Sequence, residues 1–513
     1  MQKRVAPSGP EASPKASPRE WIGLATLALP CLIYSMDLTV LYLAVPQITA
    51  DLKPSASQLL WIVDIYGFLV AGSLVTMGTL GDRLGRRRVL IYGAAAFALT
   101  SILAAYSTSA EMLIAARALQ GVAAATLAPS TLSLIRNMFH DPRERALAIG
   151  VWVASFSVGA VIGPLVGGLV LAHFFWGAVF LLNVPIMLAL LILAPLLLPE
   201  FRDPDTGRMD LVSAGQSLLA VLGVIYGLKR IAEDGWALLP LASIAFGLLV
   251  GFVFFRRQRR LPDPLIDVDL FRAPAFSAAL AINMVGLFMV LGSFLFIAQY
   301  LQLVLGMGPL EAALWTAPAG VVFAVGSMAA PLLVRHFTPA TVIAAGLLLA
   351  AAGYGLLTQL SAVGSPWFLL VGMLAFSIGV APFGAITTDI VLNTAPPNRA
   401  GAASAISETS FEFGGALGIA VLGSLVTALY RIEIGAQSFP GIAPEALETA
   451  RDTLGGAVAA ARTLPGEEGE RLLEAARTAF VHAFEVSSGV SAAGSVLAAL
   501  MAASLLRKVG TQS

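Results

Sequence analysis

The sequence predicts an all-α integral membrane protein with fourteen transmembrane helices, and three observations carry that prediction. Apolar residues make up 58% of the 513 residues and charged residues only 12%, at a mean hydropathy of +0.84. A soluble domain carries about 25% charged residues, so this chain lacks the polar surface to face water on all sides. The apolar residues also fall into fourteen runs of the length a spanning helix needs, about 20 residues. Lysine and arginine collect in alternate loops between those runs, which is how a bilayer orients a polytopic chain.

Residues 1–20, rich in Pro, Ser and Lys, read as a disordered cytoplasmic tail. The runs follow at residues 21–48, 58–79, 89–107, 111–134, 146–172, 175–198, 211–230, 237–255, 275–304, 311–334, 340–360, 366–392, 400–430 and 484–506. The first is too long for a signal peptide and carries an acid, so it reads as a permanent helix. Lys3, Arg4, Lys15, Arg19, Arg83, Arg86, Arg87, Arg88, Arg143, Arg145, Arg202 and Arg208 fall on one side. So do Arg256, Arg257, Arg259, Arg260, Arg335, Arg399, Arg507 and Lys508. The other side holds few basic residues beyond Lys229, Arg230 and a long loop at 431–483. Both termini are therefore expected in the cytoplasm. Within the long loop, Leu472, Leu473, Ala476 and Phe480 recur at helical spacing. That stretch reads either as a short amphipathic helix or helical hairpin at the outer surface, or as a solvated loop.

Lys and Arg together equal Asp and Glu at 31 each, which gives no sign of a nucleic-acid partner. The single cysteine, Cys31, excludes an internal disulfide. There is no phosphate-binding glycine loop and no H-E-x-x-H, and His140, His173, His336 and His482 are far apart. An ATP-driven pump and a zinc protease are disfavoured. No enzyme activity, cofactor or metal is expected.

A charge at the bilayer centre costs at least about 2.5–3.5 kcal/mol, so ionisable residues inside the runs are functional candidates. They are Asp37 in the first run, Asp64 in the second, Arg117 in the fourth, and Glu408 and Glu412 in the thirteenth. Asp389 lies near a helix end and reads as interfacial. Glu408 and Glu412 are one turn apart on one helix face, and two carboxylates that close cannot both ionise cheaply. A carboxyl in an apolar cavity can hold a proton near neutral pH and give it up when a cation arrives. That is the minimum chemistry for exchanging protons against cationic solutes. Tyr34, Trp61, Tyr66, Trp152, Phe156, Phe411 and Phe413 stand near these acids in sequence. An aromatic face attracts an organic cation by roughly 0.5–2 kcal/mol. Most aromatics in membrane helices only pack, so those sharing a face with the acids are the candidates. Arg117 needs a partner or water, or else snorkels to an interface.

A faint internal repeat pairs Arg145-Ala-Leu-Ala and Gly159-xxx-Gly163 with Arg399-Ala-Gly-Ala and Gly414-xxx-Gly418. By helix count, Arg335-His336 then stands where the arginine-rich turn stands in the first half. That turn, GTLGDRLGRRR, resembles the loop between helices 2 and 3 of the major facilitator superfamily. The family pattern G-x-L-a-D-r-x-G-r-r falls on Gly78, Leu80, Asp82, Arg83, Gly85, Arg86 and Arg87. Gly159, Gly163, Pro164, Gly167 and Gly168 resemble the superfamily's antiporter motif, G-x-x-x-G-P-x-x-G-G. Arg117, Gln120 and Gly121 fall on a helix 4 element that the family links to proton transfer.

From Trp21 to about Leu506 the chain is similar to the fourteen-helix drug:proton antiporters. The resemblance implies six-helix bundles at 21–199 and 261–513, with two linker helices at 200–260. It implies a monomer in the plasma membrane that exports lipophilic cations against protons. The alternative is a dedicated exporter of a metabolite or antibiotic. Asp37, Asp64, Glu408 and Glu412 would bind proton and cation, and Gly78, Asp82, Arg83, Gly85 and Arg86 would latch the inner ends of the halves. Some members that export bulky dications carry an acid inside helix 10, and here none lies between Glu311 and Arg335. Handling of divalent cations stays open.

Overall fold

The structure is a computed structural model that describes residues 15–202, 210–261, 264–362, 364–395 and 400–507. Among these residues fourteen helices are long and apolar enough to cross a membrane, and there is no strand. They are α1 (Pro18–Leu52), α2 (Ala56–Leu84), α3 (Arg86–Ala105), α4 (Ala110–Met138), α5 (Arg143–His173), α6 (Ala178–Leu197) and α7 (Leu211–Ala232). Then come α8 (Leu238–Gln258), α9 (Pro274–Val304), α10 (Pro309–Ala330), α11 (Pro339–Leu357), α12 (Pro366–Thr394), α13 (Ala403–Gly435) and α14 (Gly466–Leu505).

Local chemistry sets several boundaries. The first helix begins inside the segment read as tail, because Pro18 starts it and the Glu20 carboxylate accepts from the Ser17 N–H. Residues 1–14 of that tail, and with them Lys3 and Arg4, lie outside the described residues, as do Arg208, Arg399 and Lys508. A turn at Leu182 interrupts α6 just before Asn183. Pro185 has no N–H to give the Leu181 carbonyl, so the ladder fails there. The stretch 467–480 is neither a loop nor a separate helix. It is the first part of the 40-residue α14, whose buried stripe runs on into the span through Phe480 and Phe484 and then the small residues Ser487, Ser488, Ser491 and Ser495. The long loop instead folds as two short helices, Pro444–Asp452 and Leu454–Ala461. They are pinned by Arg431 on Asp452 at 2.6 Å and by the Tyr430 hydroxyl donating to the Ala450 carbonyl at 2.8 Å.

The end of the bundle holding the turn between α2 and α3 is here called the near end, and the opposite end the far end. Helices α5 and α1 pack so closely that a Cβ on Gly159 or Gly163 would stand 3.1 Å from the Cα of Leu32 or Met36. The same contact recurs between α13 and α9. There a Cβ on Gly414 would stand 2.9 Å from Met284 Cα, and one on Gly418 2.7 Å from Phe288 Cα. Only small residues let helices approach this far. The halves meet through Gly168 of α5 against Pro309, Leu310 and Ala313 of α10, and through Gly67 and Gly423 against Ala416 and Leu60 across α2 and α13. These contacts lie in the middle and far parts of each helix, so the bundle is closed at the far end.

Helices α7 and α8 pack on each other and lie beside the α2–α13 seam. Leu218 of α7 fills the space over Gly72, and Ile225 is buried in a cluster with Phe68, Ala416 and Ala420. On α8, Leu248, Leu249, Phe252 and Phe255 are exposed, the surface expected of a lipid-facing helix.

Candidate functional site: paired charges in one half, unpaired acids in the other

Asp37 and Arg117 are an ion pair. Arg117 Nη1 stands 2.5 Å from Asp37 Oδ2, with side-chain exposures of 0% and 3%. The pair sits in a polar knot built by four helices. Gln120, one turn after Arg117 on α4, accepts from Arg117 Nη1 at 2.8 Å and donates to Asp37 Oδ1 at 3.3 Å. Asn183, set at the break in α6, donates to Asp37 Oδ1 at 2.9 Å. Ser101 of α3 accepts from both Gln120 and Asn183, at 3.0 and 3.2 Å. The Arg117 guanidinium also lies 4.3 Å from the centroid of the Tyr66 ring. Arg117 therefore does not snorkel, and Asp37, which has no partner nearby in sequence, finds one 80 positions away. Tyr66 spends its face on Arg117 and is fully buried.

Asp64 is paired as well, and its partner corrects the sequence reading. Lys229 is not a loop residue. It lies in α7, completely buried, donates to Asp64 Oδ1 at 2.7 Å and sits 2.7 Å from Oδ2. Its ammonium also rests 3.7 Å from the Trp61 ring centroid, so Trp61 is occupied by an internal cation. The run had been read as ending at residue 230, which put Lys229 at its edge. One further turn of helix, to Asp234, places it inside. A lysine in the last turn of an apolar run, with an unpaired acid elsewhere in the bilayer, is the signal that finds it. Asn183 and Ser101 were also missed, although a lone Asn before Pro185 in an apolar run is legible.

Glu408 and Glu412 differ. Among the described residues neither is paired with a cation. Glu412 is 8% exposed and lies beside the Tyr34 hydroxyl of α1, so the two halves come together there. Glu408 is exposed. It lies one turn earlier on the same face of α13, on the near-end side of that contact, where the described helices leave it uncovered. Tyr34 packs edge-on to Phe156 at 5.8 Å, and Phe156 to Trp152 at 4.8 Å. Trp152 is fixed by its indole N–H donating to Thr131 at 2.9 Å. Phe411 is 37% exposed. Tyr34, Phe156, Glu408 and Glu412 thus form an acid-and-aromatic wall where α13 meets α1 and α5, and Phe411 is exposed on α13 between the two glutamates in sequence. Asp37 and Asp64 do not join it, since each is already neutralised by a cation.

The arginine turn holds one half together. Arg86 Nε donates to Asp82 at 2.8 Å. Gly85 has φ +111°, and a Cβ there would run into the Glu200 carboxylate. Arg87 and Arg88 stand 3.6 and 3.7 Å from Glu200, Arg87 donates to the Leu198 carbonyl, and Arg202 to that of Arg83. Apart from Arg86 with Asp82, these contacts join the turn to the chain at the end of α6, within the N-terminal half.

Comparisons with known proteins fit this geometry. A model of the Major Facilitator Superfamily matches residues 27–419. The chain is 41% identical to the multidrug efflux pump LfrA of Mycolicibacterium smegmatis over 98% of both chains. It is 35% identical to the methyl viologen resistance protein SmvA of Salmonella typhimurium, over 93% of this chain and 96% of that one. Among solved structures, a bacterial homologue of the human lysosomal transporter Spinster superposes with a TM-score of 0.65 at 19% identity. That match covers 95% of this chain and 98% of the other.

Proposed function

The chain belongs to the Major Facilitator Superfamily, and on that premise we propose that it exchanges protons for lipophilic organic cations. It is a multi-pass membrane transporter and a drug exporter on that scaffold, not an enzyme. The finer reading rests on the unpaired acids of α13 facing an aromatic wall at the gap between the halves. A carboxyl within the span and without a resident cation carries either a proton or a cation's countercharge. Aromatic faces favour large, weakly hydrated cations over small, strongly hydrated ones. Arrival of a cation at Glu408 and Glu412 stabilises the doubly ionised pair and expels a proton. The described arginines at the near end support placing that end in the cytoplasm. The side of the wall facing the near end then opens inward in this conformation, and the contact of Gly168 with α10 helps hold the outer end shut.

The test is ethidium efflux from cells expressing the protein, with and without a protonophore. Export that stops when the proton gradient is collapsed supports the reading. Export that continues unchanged contradicts proton coupling. Glu311 lies in the first turn of α10, at the far end, and no acid lies deeper in that helix. Monovalent cations should therefore be exported better than bulky dications, which a substrate panel in the same cells measures.

A further inference from the structure

We propose that the inserted helix pair is part of the coupling machinery. Lys229 of α7 is the resident counter-cation of Asp64, and Asp64 exchanges Lys229 for a proton when the α2–α13 seam opens. This deepens the reading above and rests on it.

Three observations carry it. The first is position. Asp64 lies between Leu60 and Gly67 on α2, and both of those residues touch α13, at Gly423 and Ala416. The carboxylate is thus under the far-end seal, and separating α2 from α13 lets water reach it. The second is the linker's placement. Helix α7 touches both sides of the seam, with Leu218 on α2 and Ile225 in the cluster shared with Ala416 and Ala420. It cannot stay in both contacts when the seam parts, and Leu218 against Gly72 with the Lys229 ammonium over Trp61 keeps it on α2. The third is chemistry. Lys229 is held in an ammonium box made of both Asp64 oxygens at 2.7 Å and the Trp61 face at 3.7 Å. A buried ion pair is a poor stabiliser against apolar packing of the same volume, so simple cohesion of α7 with α2 does not require it. Other charged groups face this region from the elements around it. They are Glu412 on α13 and the Asp37–Arg117 pair between α1 and α4, with the Tyr42 phenol of α1 among them. The arginines of α3 sit at its near end.

The step balances in protons and charge. With the far end open, water takes the place of Asp64 around the Lys229 ammonium, the freed carboxylate takes one proton from hydronium in the outer medium and leaves neutral water, and the site goes from net zero to net +1. When the far end reseals, Lys229 is again shut away from water and needs a countercharge. The proton leaves Asp64 for the near-end gap, and the neutral ion pair re-forms. In this scheme Lys229 is a positioning residue that sets when Asp64 lets go of its proton.

The test uses the full-length protein with four forms: wild type, Asp64→Asn, Lys229→Met and the double variant. Thermal unfolding of purified protein without substrate reads the pair itself. Uptake of tetraphenylphosphonium into inside-out proteoliposomes under an imposed pH gradient reads coupling. Each single variant should unfold at a lower temperature, and the double variant should recover most of that loss. Gradient-driven transport should nonetheless stay at least tenfold below wild type in the double variant. A double variant that transports as wild type does would reduce the pair to a structural tie and overturn the inference. Single variants as stable as wild type would mean that the pair is not formed. Failure of wild type to respond to the gradient would sink the proton-coupled reading while leaving the unfolding data interpretable.

Discussion

The two halves of this protein share a packing scheme and differ in where they keep charge. In both, a glycine pair on one helix is pressed against the backbone of another, Gly159 and Gly163 on α1 and Gly414 and Gly418 on α9. In the N-terminal half the acids inside the bundle are saturated, Asp37 by Arg117 and Asp64 by Lys229. In the C-terminal half Glu408 and Glu412 have no cation among the described residues, and Glu412 reaches across to Tyr34. The difference teaches that a repeated scaffold need not carry repeated chemistry. In this conformation one half neutralises its acids internally, and the other supplies carboxyls whose countercharge must come from outside.

Breaking the saturated side should have the largest effect. Asp37→Asn leaves Arg117 buried beside its already unpartnered Nε and Nη2. Stranding one member of a buried pair costs about 3–5 kcal/mol. Both export and the unfolding temperature should fall. Glu412→Gln keeps an acceptor for Tyr34, so export should fail with little loss of stability. Equal destabilisation in the two variants would erase the contrast.

Next come the glycines. Gly163→Leu and Gly418→Leu each force a side chain into the facing helix, and overpacking costs typically about 1–3 kcal/mol. If the scaffold is repeated, the two should destabilise alike, with the protein still inserted. Either variant retaining full coupled export would count against close packing at that contact.

The fold was legible because bilayer thickness sets run length, and each of the fourteen runs is long enough to read alone. Glu408 and Glu412 were legible because i,i+4 spacing fixes a shared face. The pairing of Asp37 with Arg117 was not, since 80 positions separate them and only the packing of α1 on α4 brings them together. Lys229 was hidden for another reason. A lysine at the end of an apolar run looks interfacial until the next turn of helix and a waiting acid are both known. The unequal exposure of the α13 acids depends on how that helix is rotated against α1, which spacing alone does not set.

Smaller effects test the ends of the bundle. Asp82 and Arg86 are partly exposed, at 26% and 11%, so their pair contributes only about 0.2–1 kcal/mol. Asp82→Asn should slow turnover and leave substrate affinity nearly unchanged. Equal loss of both would point to the binding site instead. Smallest of all is the junction of the linker helices, where Asp210 caps α7 and meets Arg257 at 3.1 Å. Burial pushes the Asp210 carboxyl up, but hydrogen bonds from Ser213 and Arg257 outweigh it and bring the group down to about 2. An acid with a depressed value stabilises above its unfolded pKa of about 3.9, and that contribution is lost as pH falls toward about 2. Asp210→Asn should lower the unfolding temperature slightly at neutral pH, and the difference from wild type should vanish in acid. A difference that persists at the lowest pH would mean that the carboxylate charge is not what holds the junction.

The most direct test of proton-for-cation exchange at α13 is proton release from weakly buffered, detergent-solubilised protein on adding tetraphenylphosphonium. Wild type should release protons in proportion to the cation bound, and Glu408→Gln and Glu412→Gln should each release markedly fewer. Release that persists unchanged in both variants would remove the unpaired acids from the exchange step and contradict the proposed mechanism.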